Sequence, residues 1–329
     1  MINVSSFNED LIKFEWYNKF GNIERKLYPK QMIIPLKRKP DKEICRVFKD
    51  AYTKSNYYIK TYPYDYTTPD LTIPFKIHKN KKGFYYYDWR LASKLLYFDK
   101  VIKNEGITFP KYMYYDIETT SLDPSEGIVT SVVFIDKDNN VKTFLNDDGD
   151  EREMLKSIAK FLKKNKILSL IGFNSKKFDD EYLSYRMRTN QIKYEPIMNC
   201  NIDIMNMANK LFITGSLASM AKQLGVIEKI ELEDNPIKLF YDGDFDTLIE
   251  YNIRDVEVTK AISEKLNILS FCEALWNISW CDFRHLNANS VLNDCYFNKR
   301  MWEDNILVTK VDLEYKGKFG GGFNYFKDE

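Results

Sequence analysis

The stretch "YMYYDIETTS" (residues 112–121) is an aromatic and apolar run that ends in two acids and three hydroxyls. Its Tyr, Met and Ile residues suit a buried β-strand. Asp116 and Glu118 stand two apart at the strand's end, so both carboxylates leave the same face. Such a tip either ends in solvent or holds a cation. Asp-x-Glu also begins at Asp41, Asp179, Asp255 and Asp312, so the pattern by itself decides nothing.

The strand opens an α/β segment. "IVTSVVFID" (128–136) and "VKTFL" (141–145) read as two further strands, separated by the turn signals "DPSEG" and "KDNN". Residues 151–164 carry Met154, Leu155, Ile158, Phe161 and Leu162 at helical spacing. "ILSLIGF" (167–173) follows as a short buried strand. Three meandering strands, a helix and another strand is the start expected of a ribonuclease H-like mixed sheet flanked by helices.

More acids follow at element boundaries. "NSKKFDDEYL" sets Asp179 just past a strand end, at a helix start. In "FDTLIEYNIRDVEVTKAISEKLN" (245–267), Phe245, Leu248, Ile249, Ile253 and Val256 form an apolar stripe. Tyr251 and Asp255 lie four apart in that helix and share a face.

Composition narrows the classes. The chain has 329 residues, 44% hydrophobic and 29% charged, with a net charge of +1, ordinary for a globular protein and long enough for two compact domains or for one large and one small. No apolar run approaches the ~18 residues that span a bilayer. The start, "MINVSSFNEDLIKFEW", lacks a signal peptide's pattern. Cys45, Cys200, Cys272, Cys281 and Cys295 form an odd set without a C-x-x-C pair, which argues against disulfide and zinc frameworks. A cytoplasmic protein without membrane association is expected. Residues 1–110 hold 21 Lys and Arg against 12 Asp and Glu, and the rest 28 against 36. A basic module joined to an acidic one fits polyanion and divalent-cation binding respectively. Twelve of the 23 tyrosines fall in 1–110 among short, proline-broken strand runs, so this part reads as a smaller β-rich domain suited to single-stranded nucleic acid. Residues 89–106 read as a helix leading to the first core strand.

In order, these pieces resemble the exonuclease motifs of family B DNA polymerases. "DIETTSLD" is similar to the first, "GFNSKKFDDEYL" to the second and "YNIRDVEVT" to the third, while "GSLASMAKQLG" (215–225) resembles the family's Ser-Leu segment. "KGKFGGGFNYF" (316–326) resembles the Tyr-x-Gly-Gly linker, with Phe319 where the family has Tyr. The resemblance is specific over about 112–325, and no palm motif is present.

The resemblance implies a 3′–5′ exonuclease, the proofreading half of a polymerase, in a replisome (in the host cytoplasm if viral). It implies domains at 1–110, at 111–270 (the exonuclease) and at 271–329, a helical return and linker. The implied catalytic set is Asp116, Glu118, Asp179, Tyr251 and Asp255, the four acids holding two Mg²⁺ or Mn²⁺ ions. Thr119, Asn174, Phe178, Ser216 and Leu217 would contact the 3′-terminal nucleotides of single-stranded DNA or a primer. Lys229 and Lys238 both fit the family's catalytic lysine. The implied partner is a polymerase palm, fingers and thumb. Two other readings are an RNA-preferring exonuclease and a non-catalytic DNA-binding subunit.

Overall fold

The computed structural model describes residues 109–192, 201–232 and 234–307, together with the N-terminal strands and residues 95–97. The expected helix at 89–106, apart from 95–97, and the glycine-rich 316–326 lie outside the described residues.

The central sheet is built from β9 (Tyr112–Thr119), β10 (Val129–Ile135), β11 (Val141–Leu145), β12 (Ser169–Gly172) and β13 (Ile202–Asp203), in the order β11-β10-β9-β12-β13. The first three form an antiparallel meander, and β12 and β13 run parallel to β9. β10 is buried along its whole length, which suits a strand covered on both faces.

Alternation along β9 assigns the two faces. Met113, Tyr115 and Ile117 join a core with Leu155, Ile158 and Leu162 of α1 (Glu151–Lys164) and Tyr182, Leu183 and Met187 of α2 (Asp179–Thr189). Tyr114 points the other way, into a second core with Val256 and Ile262 of α6 (Phe245–Lys265). Asp116 and Glu118 continue the register of Tyr114, so they face α6. Around α6 pack α3 (Ile204–Lys210), α4 (Leu217–Leu224) and α5 (Pro236–Asp242), followed by α7 (Ile268–Ser279) and α8 (Asn289–Glu303).

Local sequence explains the helix ends. Asp150, Asp203, Ser216, Asn235 and Asp244 each accept a backbone N–H at the start of α1, α3, α4, α5 and α6, satisfying donors that a helix leaves open. Gly225 and Gly243 take left-handed φ of 62° and 76° at the ends of α4 and α5, where a side chain would be strained.

The N-terminal part is largely antiparallel β. β1 (Ile2–Ser6), β2 (Leu11–Tyr17) and β3 (Ile23–Pro29) form one sheet. The other contains β4 (Gln31–Leu36), β5 (Arg46–Asp50), β6 (Asn56–Pro63), β7 (Ile77–Lys79), β8 (Tyr85–Tyr87) and, after the whole α/β core, β14 (Ile306–Leu307). β14 pairs parallel with β5 at Lys49 and Asp50. Arg46 reinforces this return: its guanidinium donates to the Trp302 carbonyl at 2.5 Å and to the Asn305 side chain, and lies over the rings of Phe48 and Trp302.

Candidate metal and nucleic-acid site

β9 and α6 bring three acids together. One carboxylate oxygen from each of Asp116, Glu118 and Asp255 lies within 4.8 Å of the others. Asp255 is buried, and its Oδ1 has no hydrogen-bond partner among the described residues. Burial pushes Asp116 well above the usual carboxylate range, and the charges of Asp179 and Asp255 push it further. Glu118 rises for the same reason, with Asp116 and Asp255 as its neighbours. A set of converging oxygens that repel one another, one of them orphaned, fits a hard divalent cation of the Mg²⁺ or Mn²⁺ type.

Asp179 approaches with the start of α2. It is the first residue of α2, and its Oδ1 accepts the Ile117 N–H at 3.3 Å. Burial raises its carboxyl to about 8. It therefore adjoins Asp116 electrostatically without belonging to the converging trio.

The structure distinguishes the two candidate lysines. Lys229 Nζ lies 2.7 Å from Asp255 Oδ2 and donates to Tyr251 Oη at 3.0 Å. Burial alone would lower this ammonium, but its bonds to Asp255 and Tyr251 prevail and raise it. Lys238 instead pairs with exposed Asp234 on the surface. Burial holds the Tyr251 phenol above its ordinary value against the pull of Lys229, so its O–H remains a donor at neutral pH.

The expected nucleotide contacts divide. Ser216 is exposed, and its Oγ caps α4 by accepting from Ser219 N–H at 3.2 Å. The Thr119 hydroxyl is used locally, donating to Ser121 O at 2.9 Å. Leu217 is buried in the α6-side core, and Phe178 packs on Tyr182, ring centroids 5.4 Å apart. Asn174 adopts a left-handed φ of 56°, and its N–H donates to Asp203 Oδ1 at 3.1 Å.

Two further buried acids were not singled out in the sequence. Asp203 also accepts from the Lys176 and Asn206 N–H groups, joining the loop after β12 to α3. Asp180 follows Asp179 and accepts from Tyr115 and Asn201. An acid directly before a helix signals a cap such as Asp203, whereas nothing in "FDDEYL" marks Asp180 as buried.

A comparison with curated proteins gives no match. Among solved structures, the chain is similar to the family B DNA polymerase from the hyperthermophilic archaeon Pyrobaculum calidifontis, with a TM-score of 0.66 and 13% identity. The alignment covers 93% of this chain and 50% of that one, so the chain spans half the length of that polymerase. At this identity the likeness is one of fold. Residues 113–267 match the RNase H superfamily model, and this segment, holding β9, α6 and all three converging acids, is an RNase H-like domain.

Proposed function

We propose that this protein is a metal-dependent 3′–5′ exonuclease acting on single-stranded or frayed DNA, akin to the proofreading part of a family B DNA polymerase. The observation that carries this reading is the convergence of Asp116, Glu118 and Asp255 beside the Lys229–Tyr251 pair. A binding subunit without catalysis has no need of repelling, partly desolvated acids.

Asp116, Glu118 and Asp255 would hold Mg²⁺ or Mn²⁺, with Asp179 at the margin. Such ions, when bound, acidify water and stabilise an oxyanion leaving group. Lys229 donates to Tyr251 Oη, and the phenol proton, which lies beside Asp255, would orient the attacking water. The same ammonium offsets charge on Asp255, so helix α6 presents acid and phenol in a fixed relation. Hydrolysis of the terminal phosphodiester by water releases a nucleoside 5′-monophosphate and leaves a new 3′-hydroxyl. The basic N-terminal β region would add affinity for the single strand, with binding weakened by salt by about 0.7 log units per decade for each phosphate neutralised.

The test is digestion of 5′-labelled single-stranded DNA, matched and mismatched duplexes, and RNA, with and without Mg²⁺. A 3′-shortening ladder that needs metal, disappears in Asp116→Ala/Glu118→Ala and is faster on mismatched ends is expected. Digestion from the 5′ side, or a double variant as active as the parent, refutes the proposal. Faster loss of RNA than of DNA would reassign the substrate.

A further inference from the structure

Two adjacent acids, Asp179 and Asp180, begin α2, and both are buried. Only Asp179 borders the converging carboxylates. Asp180 Oδ1 accepts from the Tyr115 hydroxyl at 2.5 Å and from Asn201 Nδ2 at 2.7 Å. Asn201 Oδ1 in turn accepts the Leu170 N–H of β12 at 2.9 Å. One carboxylate thus connects α2, β9, the residue leading into β13 and, through that residue, β12.

The register of these bonds is informative. Tyr115 and Ile117 occupy successive positions on the α2-side face of β9, and Asp116 lies between them on the opposite face. Asp180 grips Tyr115 and Asp179 grips the Ile117 N–H, so two consecutive residues of α2 span the position of Asp116. The Asp180 N–H also donates to Ser175 O at 2.9 Å, fixing where the helix begins. An apolar side chain would fill this site without the cost of desolvating a carboxyl.

We infer that Tyr115, Asp180 and Asn201 form a buried positioning triad that locks the first turn of α2 to β9 and so sets the placement of Asp179 relative to Asp116. The inference rests on the nuclease reading for its catalytic consequence, but not for its geometry. Asp180 touches neither substrate nor the converging oxygens and acts through Asp179. Misplacement of a catalytic group by about 1 Å can cost 10²-fold in rate, which is the error that a released α2 turn would introduce.

The experiment uses the full chain with Asp180→Ala, Asp180→Asn, Tyr115→Phe and the Tyr115→Phe/Asp180→Ala pair. The control is Lys260→Met, which removes an equally buried charge that anchors the β10–β11 turn through the Asp136 and Lys137 carbonyls and Asn139. Each variant is melted, titrated with Mn²⁺ by electron paramagnetic resonance without DNA, and assayed on 5′-labelled single-stranded DNA. Asp180→Ala should lower kcat by about tenfold or more with KM for DNA within about twofold, and should raise the half-saturating Mn²⁺ concentration. Asp180→Asn should restore both, because its amide oxygen still accepts from Tyr115 and Asn201. The paired variant should be no worse than Asp180→Ala, and Lys260→Met should melt earlier with Mn²⁺ binding unchanged. Unaltered Mn²⁺ binding in Asp180→Ala, or an Asn variant as impaired as the Ala one, overturns the inference. Because the Mn²⁺ titration needs no turnover, it tests the triad even if the parent degrades no nucleic acid, which would refute only the exonuclease reading.

Discussion

Lys229 and Asp255 form an ion pair at 2.7 Å across 26 positions of sequence, with the carboxylate almost fully buried and the ammonium partly so. Lys229 is thus the cation that the acid cluster already possesses. Lys229→Met should reduce nuclease turnover by roughly 10²-fold, the scale seen when an electrostatic donor is removed from an active site. Lys238→Met should leave it within about twofold, since exposed pairs contribute little. Steady-state rates on single-stranded DNA decide the matter, and equal losses in the two variants would contradict the assignment.

Tyr251 and Asp255 share one face of α6 but should fail differently. Tyr251→Phe removes only a hydroxyl, so turnover should fall by about 10²-fold while Mn²⁺ affinity is kept. Asp255→Asn should weaken both. Mn²⁺ titrations with and without DNA separate the two effects. A shared loss of metal affinity would make the phenol structural.

The acids also set a pH dependence. Asp116, Glu118, Asp179 and Asp255 all have folded-state values raised above normal, burial being the first cause. Protons are then bound more tightly by the folded chain, and this stabilisation is complete below about pH 4. It disappears as pH rises through the folded values, ending near 8 for Asp179. The melting temperature of metal-free protein should therefore carry a component that falls between about pH 4 and 8, and Asp179→Asn should flatten it. Mn²⁺ should stabilise more at pH 8 than at pH 5, because protons compete for its ligands. A pH profile identical in parent and Asp179→Asn would refute this account.

Arg186 predicts a change in stability apart from chemistry. It donates to Glu151 through Nε at 2.9 Å and Nη2 at 2.6 Å, and through Nη1 to Pro124 O at 3.0 Å. Glu151 is buried, and Arg186 is the cation that pairs with it there. Arg186→Met should cost about 3–5 kcal/mol, read from urea unfolding, and Glu151→Gln less. A loss below about 1 kcal/mol would show that the pair is exchangeable with solvent.

How much of this was legible in sequence depended on the range of the signal. The spacing of Met154, Leu155, Ile158 and Leu162 gives a helix at 151–164, and α1 spans Glu151–Lys164. β9, β10 and β11 also lie where apolar runs and the turn residues between them put them. β13 is only two residues long and exists through pairing with β12, which no local pattern encodes. The choice of Lys229 over Lys238 depends on which chain reaches α6 in space. Phe178 and Leu217 show the converse: residues expected to meet nucleotides spend much or all of their apolar surface in the two cores. Asp180 resembles any surface acid until Tyr115 is folded against it.

The pairing of β14 with β5 has a consequence for the order of assembly during synthesis. Lys49 waits for Ile306, so β5 leaves the ribosome long before its partner strand exists. At about 5–20 residues per second, the intervening chain takes tens of seconds to appear. For that interval one edge of the N-terminal sheet is open to any other strand. Arg46, with Trp302 and Asn305 as its later partners, gives that edge a charge that discourages premature pairing. Chains ending before Ile306 would keep the edge open permanently, and self-association of such fragments, measured by light scattering, should exceed that of chains carrying β14.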